Sequence, residues 1–455
     1  MGVTTQLATF VVETAGADIP PQAYARAKEA ILDGLGCALV GSPTPTGTLI
    51  TRYVRERSET PHAAVIGGGF KTSAALAALA NGTMAHALDF DDVNWSMSGH
   101  PTVPLLPAVL ALGQAVHACG AEVLLAYVLG FEVETKIGLG VNPRHYDLGW
   151  HATSTLGTLG AAAAGAKLLG LDVDATCVAL GIAASTAAGL RQNFGTMTKP
   201  LHAGQAAMNG VTAAQLAHLG WTADTSILEA PYGFCQLYTG AKQYNLDDMV
   251  KRLGNPFELL ASGVAIKQYP CCAFTHRALD GMLALVQQHQ LSAADVVGVE
   301  CRVGRPTMEV LIHTRPQTGL EGKFSMQYCL AAALLDTRIG LLSFSDEKVR
   351  RPIAQQLFER VTMTLHPEAQ RTGTGGEELP VPVTVTLQDG RVFSTAIQHP
   401  KGHPANPLTA VALQDKFEDC AYGVLERQDL RQVIELVQGL ERVDDIGTLM
   451  DVLIA

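Results

Sequence analysis

Charge is scarce in this chain. Only 16% of its 455 residues are Asp, Glu, Lys or Arg, and aromatic residues make up 6%. No block of lysines and arginines interrupts the sequence, and the formal charge is −11. A basic nucleic-acid groove or a face for anionic membranes is thereby excluded. The nine cysteines run from Cys37 to Cys420, odd in number and without a C-x-x-C pair. Neither a disulfide framework nor a structural zinc site is indicated, and cysteines at iron–sulfur spacing are missing as well. The longest uncharged apolar stretch, residues 175–190, falls short of the roughly 20 residues that span a bilayer. No basic residue precedes the apolar stretch near the N-terminus, so no secretory leader is expected and a cytoplasmic location fits best. There is no G-x-G-x-x-G after a strand, no G-x-x-x-x-G-K-[ST] and no G-x-S-x-G, which leaves nucleotide and serine-hydrolase chemistry without a motif.

What remains is a large apolar chain, 47% hydrophobic with 45 glycines in no triplet repeat. Its length is enough for two or three domains. Two textures divide it. Up to about Leu260 the sequence is rich in Ala, Leu and Gly at helical spacing. Pro20 and Pro21 open a helix whose stripe is Tyr24, Ala27, Ile31, Leu35 and Leu39. The stretches 105–116, 158–169, 178–190 and 206–219 read as further helices, several buried because they are apolar all round. From about Ala294, Val297, Val299, Cys301 and Val303 alternate with less apolar residues, the period of a half-buried strand. Val383, Val385 and Leu387 do the same, Asp389-Gly390 supplies a turn, and 392–397 returns. Helices are expected over 324–335 and 346–361, and the polar segment 371–378 reads as a loop. Helical texture resumes after Pro407. The pattern predicts a mainly α protein, with a helical domain from residues 1–265 and 402–455 and an α+β insert over 266–401.

Four polar clusters stand out in this apolar background. The first is His86-Ala-Leu-Asp89-Phe-Asp91-Asp92, followed by Gly99-His100-Pro101. On a helix, His86 and Asp89 would share a face. Residues 93–104 should form a loop, on which His100 beside a carboxylate can act as an oriented acid or base. The second is Trp150-His151 ahead of Ser154 and Thr155, either of which can cap the helix expected from Thr158. His151 then sits at the positive end of a helix, which favours a neutral imidazole. The third is Lys199-Pro200-Leu-His202, ahead of the helix expected from Ala206. A lysine in such surroundings needs an anionic partner, from a substrate or from the protein. The fourth is Lys267-Gln-Tyr-Pro-Cys271-Cys272 with His276 and Arg277, at the junction of the two textures, where pockets prefer to form. Tyr328 is a candidate phenolic acid, although a core tyrosine is the commoner outcome. Histidines, aspartates, lysines and a tyrosine in apolar surroundings form an inventory for proton transfer on a small anion.

The blocks HALDFDD, GHPTVPLLPA, GTMTKPLHAGQAAMNGVTAAQLAHLG, KQYPCCAFTH, KFSMQY and KGHPANPLT resemble, in order, the MmgE/PrpD family, whose members include 2-methylcitrate dehydratases, cis-aconitate decarboxylases and iminodisuccinate epimerases. The resemblance implies a large helical domain from both chain ends, a smaller α+β lid, a homodimer, and catalysis without metal or organic cofactor. It places Asp89, His100, His151, Lys199 and Tyr328 in the catalytic set, and either Cys272 or His276 in the pocket. A threonine of the decarboxylase-type pocket falls at Val93 here, and the spacing from Asp89 to His100 is one residue longer. The expectation is a lyase of the dehydratase type acting on a small di- or tricarboxylate, with epimerisation and decarboxylation as alternatives. His100, oriented by Asp89, and His151 would move protons. Lys199, helped by Lys267 or Arg191, would hold a substrate carboxylate. His202, Cys272 and His276 complete the expected binding set, and Tyr328 would close over the substrate from the lid. Outside the family, the Asp-x-Asp-Asp segment allows a magnesium-dependent prenyl-diphosphate enzyme, and a helical scaffold without activity is the other alternative.

Overall fold

Pro20 and Pro21 occupy the first positions of a long helix, where their missing N–H groups have no helical partner to lose. In the computed structural model, which describes residues 1–58, 60–372 and 379–454, this helix is α1 (Pro21–Gly41). Of its predicted stripe, Ala27, Ile31, Leu35 and Leu39 are wholly buried, and Tyr24, at the first turn, is half-buried. The following long helices are α2 (Ala74–His86), α3 (Thr102–Ala115), α4 (Gly120–Val141), α5 (Ala152–Leu168), α6 (Val173–Thr186) and α7 (Thr198–His218). Among the described residues the protein is mainly helical with small sheets, as its sequence pattern predicts.

Small residues set how close these helices come. At the crossing of α2 and α7, a Cβ on Gly82 would lie 2.8 Å from the Gly204 Cα, and one on Gly204 would lie 2.2 Å from the Leu79 carbonyl oxygen. Only glycine on both sides permits that approach. The contact brings the C-terminal end of α2, with His86, against the N-terminal turn of α7, with Lys199.

The second texture folds as predicted into strands and helices: α8 (Ala273–His289), β1 (Val296–Val303), α9 (Met326–Asp336), β2 (Val361–Leu365), β3 (Val381–Leu387) and β4 (Val392–Ile397). The sheet order is β2-β1-β3-β4, with β1 and β2 parallel and the other pairs antiparallel. Gly390, with φ of +86°, makes the β3–β4 turn. Two helices, α10 (Ala410–Ala421) and α11 (Arg427–Gln438), return to the first region. One hydrophobic core accordingly draws on residues between Ile19 and Ile266 together with residues between Leu413 and Leu453. A separate core uses residues between Tyr269 and Leu387.

Several boundaries differ from the sequence reading. Helices α5 and α7 begin six and eight residues earlier than expected, because Ser154, Thr155 and Pro200 fit inside first turns rather than ahead of them. The helix expected over 346–361 breaks into Asp346–Val349 and Pro352–Leu357, since Pro352 cannot donate a helical hydrogen bond. Arg371 and Thr372 end a short helix, Pro367–Thr372; residues 373–378 of the expected loop lie outside the described residues. No described helix is long and apolar enough to cross a membrane.

Candidate active site

The predicted helical face shared by His86 and Asp89 does not form. Helix α2 ends at His86, and the chain turns through Asp89 in the left-handed region with φ of +53°. A non-glycine residue held there is uncommon and needs surrounding contacts to fix it. The turn aims three carboxylates in different directions. Asp89 meets cations: its Oδ1 is 2.5 Å from the Lys199 ammonium, 3.2 Å from that of Lys267 and 3.6 Å from His100 Nε2. Asp91 meets imidazoles: His86 Nδ1 lies 2.9 Å and His100 Nδ1 2.8 Å from its Oδ2. Asp92 meets hydroxyls, accepting from the Thr102 side chain, which also contacts the Tyr127 hydroxyl.

His100 lies in the loop ahead of α3, its backbone N–H donating to Thr153 Oγ1 at 3.0 Å. His100 Nδ1 lies against Asp91 Oδ2 out of line for a hydrogen bond, a contact that fixes the ring's place and leaves Nε2 turned toward Asp89. His151 stands just before α5, where Nδ1 lies 3.0 Å from Nδ1 of His202 on α7. Its ring packs edge-on to Phe194 and stacks 5.8 Å from that of His86.

Burial decides the charge of the imidazoles and loses to the lysines at the carboxylate. Desolvation, together with the ammonium of Lys199, pulls His151 well below the ordinary imidazole value and His202 to about 4. Desolvation also lowers His86, to about 3, and His100, although Asp91 opposes it in both. Burial thus favours the neutral form of all four rings. Burial pushes the Asp89 carboxyl up, but the ammonium groups of Lys199 and Lys267 outweigh it and hold it far below the usual range. Asp91 is likewise held low, by His86 and His100 against desolvation.

These groups form one wall of a cleft enclosing about 620 Å³, part of it open to solvent. Asp89, His100, His151 and Lys199 line it together with Trp95, Phe194, Phe274, Val310 and Phe324. The Lys199 ammonium lies 5.3 Å from the ring centroids of both Phe194 and Phe324. Around Asp89 and Asp91 are three ammonium groups, those of Lys199, Lys267 and Lys323.

The chain matches the model of the MmgE/PrpD N-terminal domain over residues 5–247 and that of the MmgE/PrpD C-terminal domain over residues 269–442. It belongs to the MmgE/PrpD family. Among relatives, the cis-aconitate decarboxylase of Mus musculus is 31% identical over 93% of this chain and 88% of its own length. The cis-aconitate decarboxylase of Aspergillus terreus is 30% identical over 99% of this chain and 96% of its own. A 2-methylcitrate dehydratase from Cupriavidus necator is 26% identical over 86% of this chain and 84% of its own. The enzymes so named are lyases.

The MmgE/PrpD resemblance picked out Asp89, His100, His151 and Lys199, and the fold brings all four to the cleft. Of Cys272 and His276, it is Cys272 that lines the cleft, with its thiol pushed by burial up to about 12. His276 points into the neighbouring core, with Nε2 3.2 Å from the Cys271 carbonyl oxygen. Lys267 and His202 stand behind the lining, on Asp89 and His151 respectively. Arg191 donates to the Tyr146 carbonyl at 2.8 Å and stacks on that ring, out of the lining. Tyr328 is the clearest correction. It is wholly buried in the second core, its hydroxyl donates to the Ser343 carbonyl, and it is not among the lining residues. Its position near the start of α9 turns the ring against Phe344 and Phe358 rather than outward.

The sequence reading missed the aromatic wall. Phe194 and Phe324 look like ordinary core residues in sequence; the one available signal was Phe324's place inside the KFSMQY block. His86, Asp89, Asp91 and His100 offer ligand atoms within 4.8 Å of one another, a spacing that fits a metal ion. The ammonium groups of Lys199 and Lys267 already occupy the cation positions at Asp89 Oδ1. The Asp-x-Asp-Asp segment, split among lysines, imidazoles and hydroxyls, is a poor match for a magnesium–diphosphate site.

Proposed function

We propose that this protein is a cofactor-independent lyase that removes carbon dioxide from a small unsaturated tricarboxylate such as cis-aconitate. The observation that carries the reading is a cleft in which a buried ammonium and neutral imidazoles face an aromatic wall. A carboxylate retained by the substrate pairs with Lys199, displacing part of that lysine's hold on Asp89. The carboxylate to be lost lies toward Phe194, Phe274 and Phe324, where water is excluded and its charge is poorly solvated. The C–C bond breaks, its electron pair stays on carbon and spreads toward the retained carboxylate, and the ammonium stabilises it. The Lys199 ammonium then returns a proton to that carbon. The relatives named cis-aconitate decarboxylases, matched over almost the whole chain, support this order of preference over the dehydratase expected from sequence.

Dehydration is the second reading, supported by the relative named 2-methylcitrate dehydratase. It needs a strong acid to expel hydroxide, and neutral imidazoles are weak ones. The charge of a bound polyanion would have to raise His100 until it takes up a proton from solvent first. The test is incubation with cis-aconitate and with 2-methylcitrate in deuterium oxide, followed by NMR and carbon dioxide measurement. Carbon dioxide release with deuterium on the product carbon is expected. Loss of water alone would establish the second reading, exchange without either loss would point to epimerisation, and inert mixtures would sink both lyase readings. The family resemblance also supports a homodimer, which light scattering at twice the 48.1 kDa chain mass would verify.

A further inference from the structure

Three lysines outside the cleft lining converge on one stretch of backbone. Leu88, Asp89 and Phe90 follow the end of α2, and each carbonyl in this run accepts a hydrogen bond from a different ammonium. Lys323 donates to Leu88 at 2.6 Å, Lys267 to Asp89 at 2.7 Å and Lys416 to Phe90 at 2.8 Å. The three come from remote parts of the chain: the segment leading into α8, the segment leading into α9, and α10. All are buried. Each is also anchored elsewhere. Lys323 donates to the Pro270 carbonyl and lies over the Phe344 ring, Lys267 reaches Asp89 Oδ1, and Lys416 pairs with Asp33 at 2.5 Å and lies over the Phe90 ring.

Burying an ammonium is costly, and three are spent here on successive carbonyls. An ammonium has three donors on a flexible stem, so it can hold a carbonyl and an anchor together. The clamped residues include the left-handed Asp89, whose carboxylate must sit within reach of Lys199 and His100. We propose that Lys323 and Lys416, with Lys267 between them, form a carbonyl clamp that positions Asp89. Lys323 and Lys416 are positioning residues: they hold the turn, not the substrate. Because Lys323 belongs to the second core's region and Lys416 to the C-terminal helices, the turn takes its working shape only when both are docked against it. The positioning role rests on the reading of Asp89 as part of the reaction site; the clamp itself does not.

The experiment compares wild type, Lys323→Met and the double variant Asp33→Asn/Lys416→Met, which leaves no buried carboxylate without its cation. Amide hydrogen exchange over residues 87–94 is measured beside turnover of the acid identified for wild type. In both variants exchange over 87–94 is expected to rise at least about tenfold while 120–141 is unchanged, and kcat to fall about 100-fold with KM moved less than about threefold. Wild-type exchange over 87–94 in both variants would overturn the clamp. Faster exchange with undiminished kcat would overturn the positioning role. Should wild type turn over none of the acids, exchange still decides the clamp, and the failure belongs to the proposed reaction.

Discussion

Asp89 and Asp33 are both buried aspartates with a lysine ammonium 2.5 Å away, yet their pKa values move in opposite directions. Burial pushes the Asp33 carboxyl above its ordinary value, and Lys416 alone does not bring it back. At Asp89 the same burial is overcome, because a second ammonium, that of Lys267, adds to Lys199. Asp92 extends the series: with hydroxyls and no adjacent cation, it is raised by desolvation to about 8. The number of nearby cations, not the presence of one ion pair, fixes the sign. What further separates the two pairs is space. Lys199 and Asp89 open on a cleft, whereas Lys416 and Asp33 are sealed beneath Cys37, Phe90 and Cys420.

The largest test of this contrast is Lys199→Met. Losing the ammonium that faces the cleft should lower kcat/KM by about 10² to 10³, with the circular dichroism spectrum retained. An unchanged kcat/KM would remove Lys199 from the chemistry. The sealed pair should answer in stability. Lys416→Met alone leaves a buried carboxylate without its cation and should cost about 3–5 kcal/mol in urea denaturation, while Asp33→Asn/Lys416→Met should recover most of that loss. Equal losses in the two would mean that the pair's charge is not what matters there.

The smallest effect concerns Asp92. Its pKa is raised in the folded protein, so the fold binds a proton that the unfolded chain releases above about 4. The stabilisation is complete below the unfolded value of 3.8 and declines until pH passes about 8. Asp92→Asn should therefore flatten the fall in denaturation midpoint between about pH 4 and 8. A slope equal to wild type would place the titration elsewhere.

Much of this site was legible because polar residues are rare in the first part of the chain. His100, His151 and Lys199 stood out against alanine and glycine, and each needed a partner. Tyr328 misled for the opposite reason: a tyrosine hydroxyl can satisfy itself on a backbone carbonyl, here that of Ser343, and sequence does not show backbone partners. The same blindness hid the clamp, since three carbonyls carry no side-chain signature. The aromatic wall was hidden because Phe194 and Phe324 read as core. Helix starts were misplaced where Ser154, Thr155 and Pro200 suited either the cap or the first turn.

The crossing at Gly82 and Gly204 carries a consequence for the reach of the reactive ammonium. Lys199 lies five positions before Gly204 along α7, and His86 four after Gly82 along α2, so the gap between the two helix axes acts as a ruler for the charges beyond it. One methyl group at position 204 would strike the Leu79 carbonyl oxygen and wedge the axes apart. The spacing of acid, base and cation is thus written in two missing side chains a full turn away from any reacting atom.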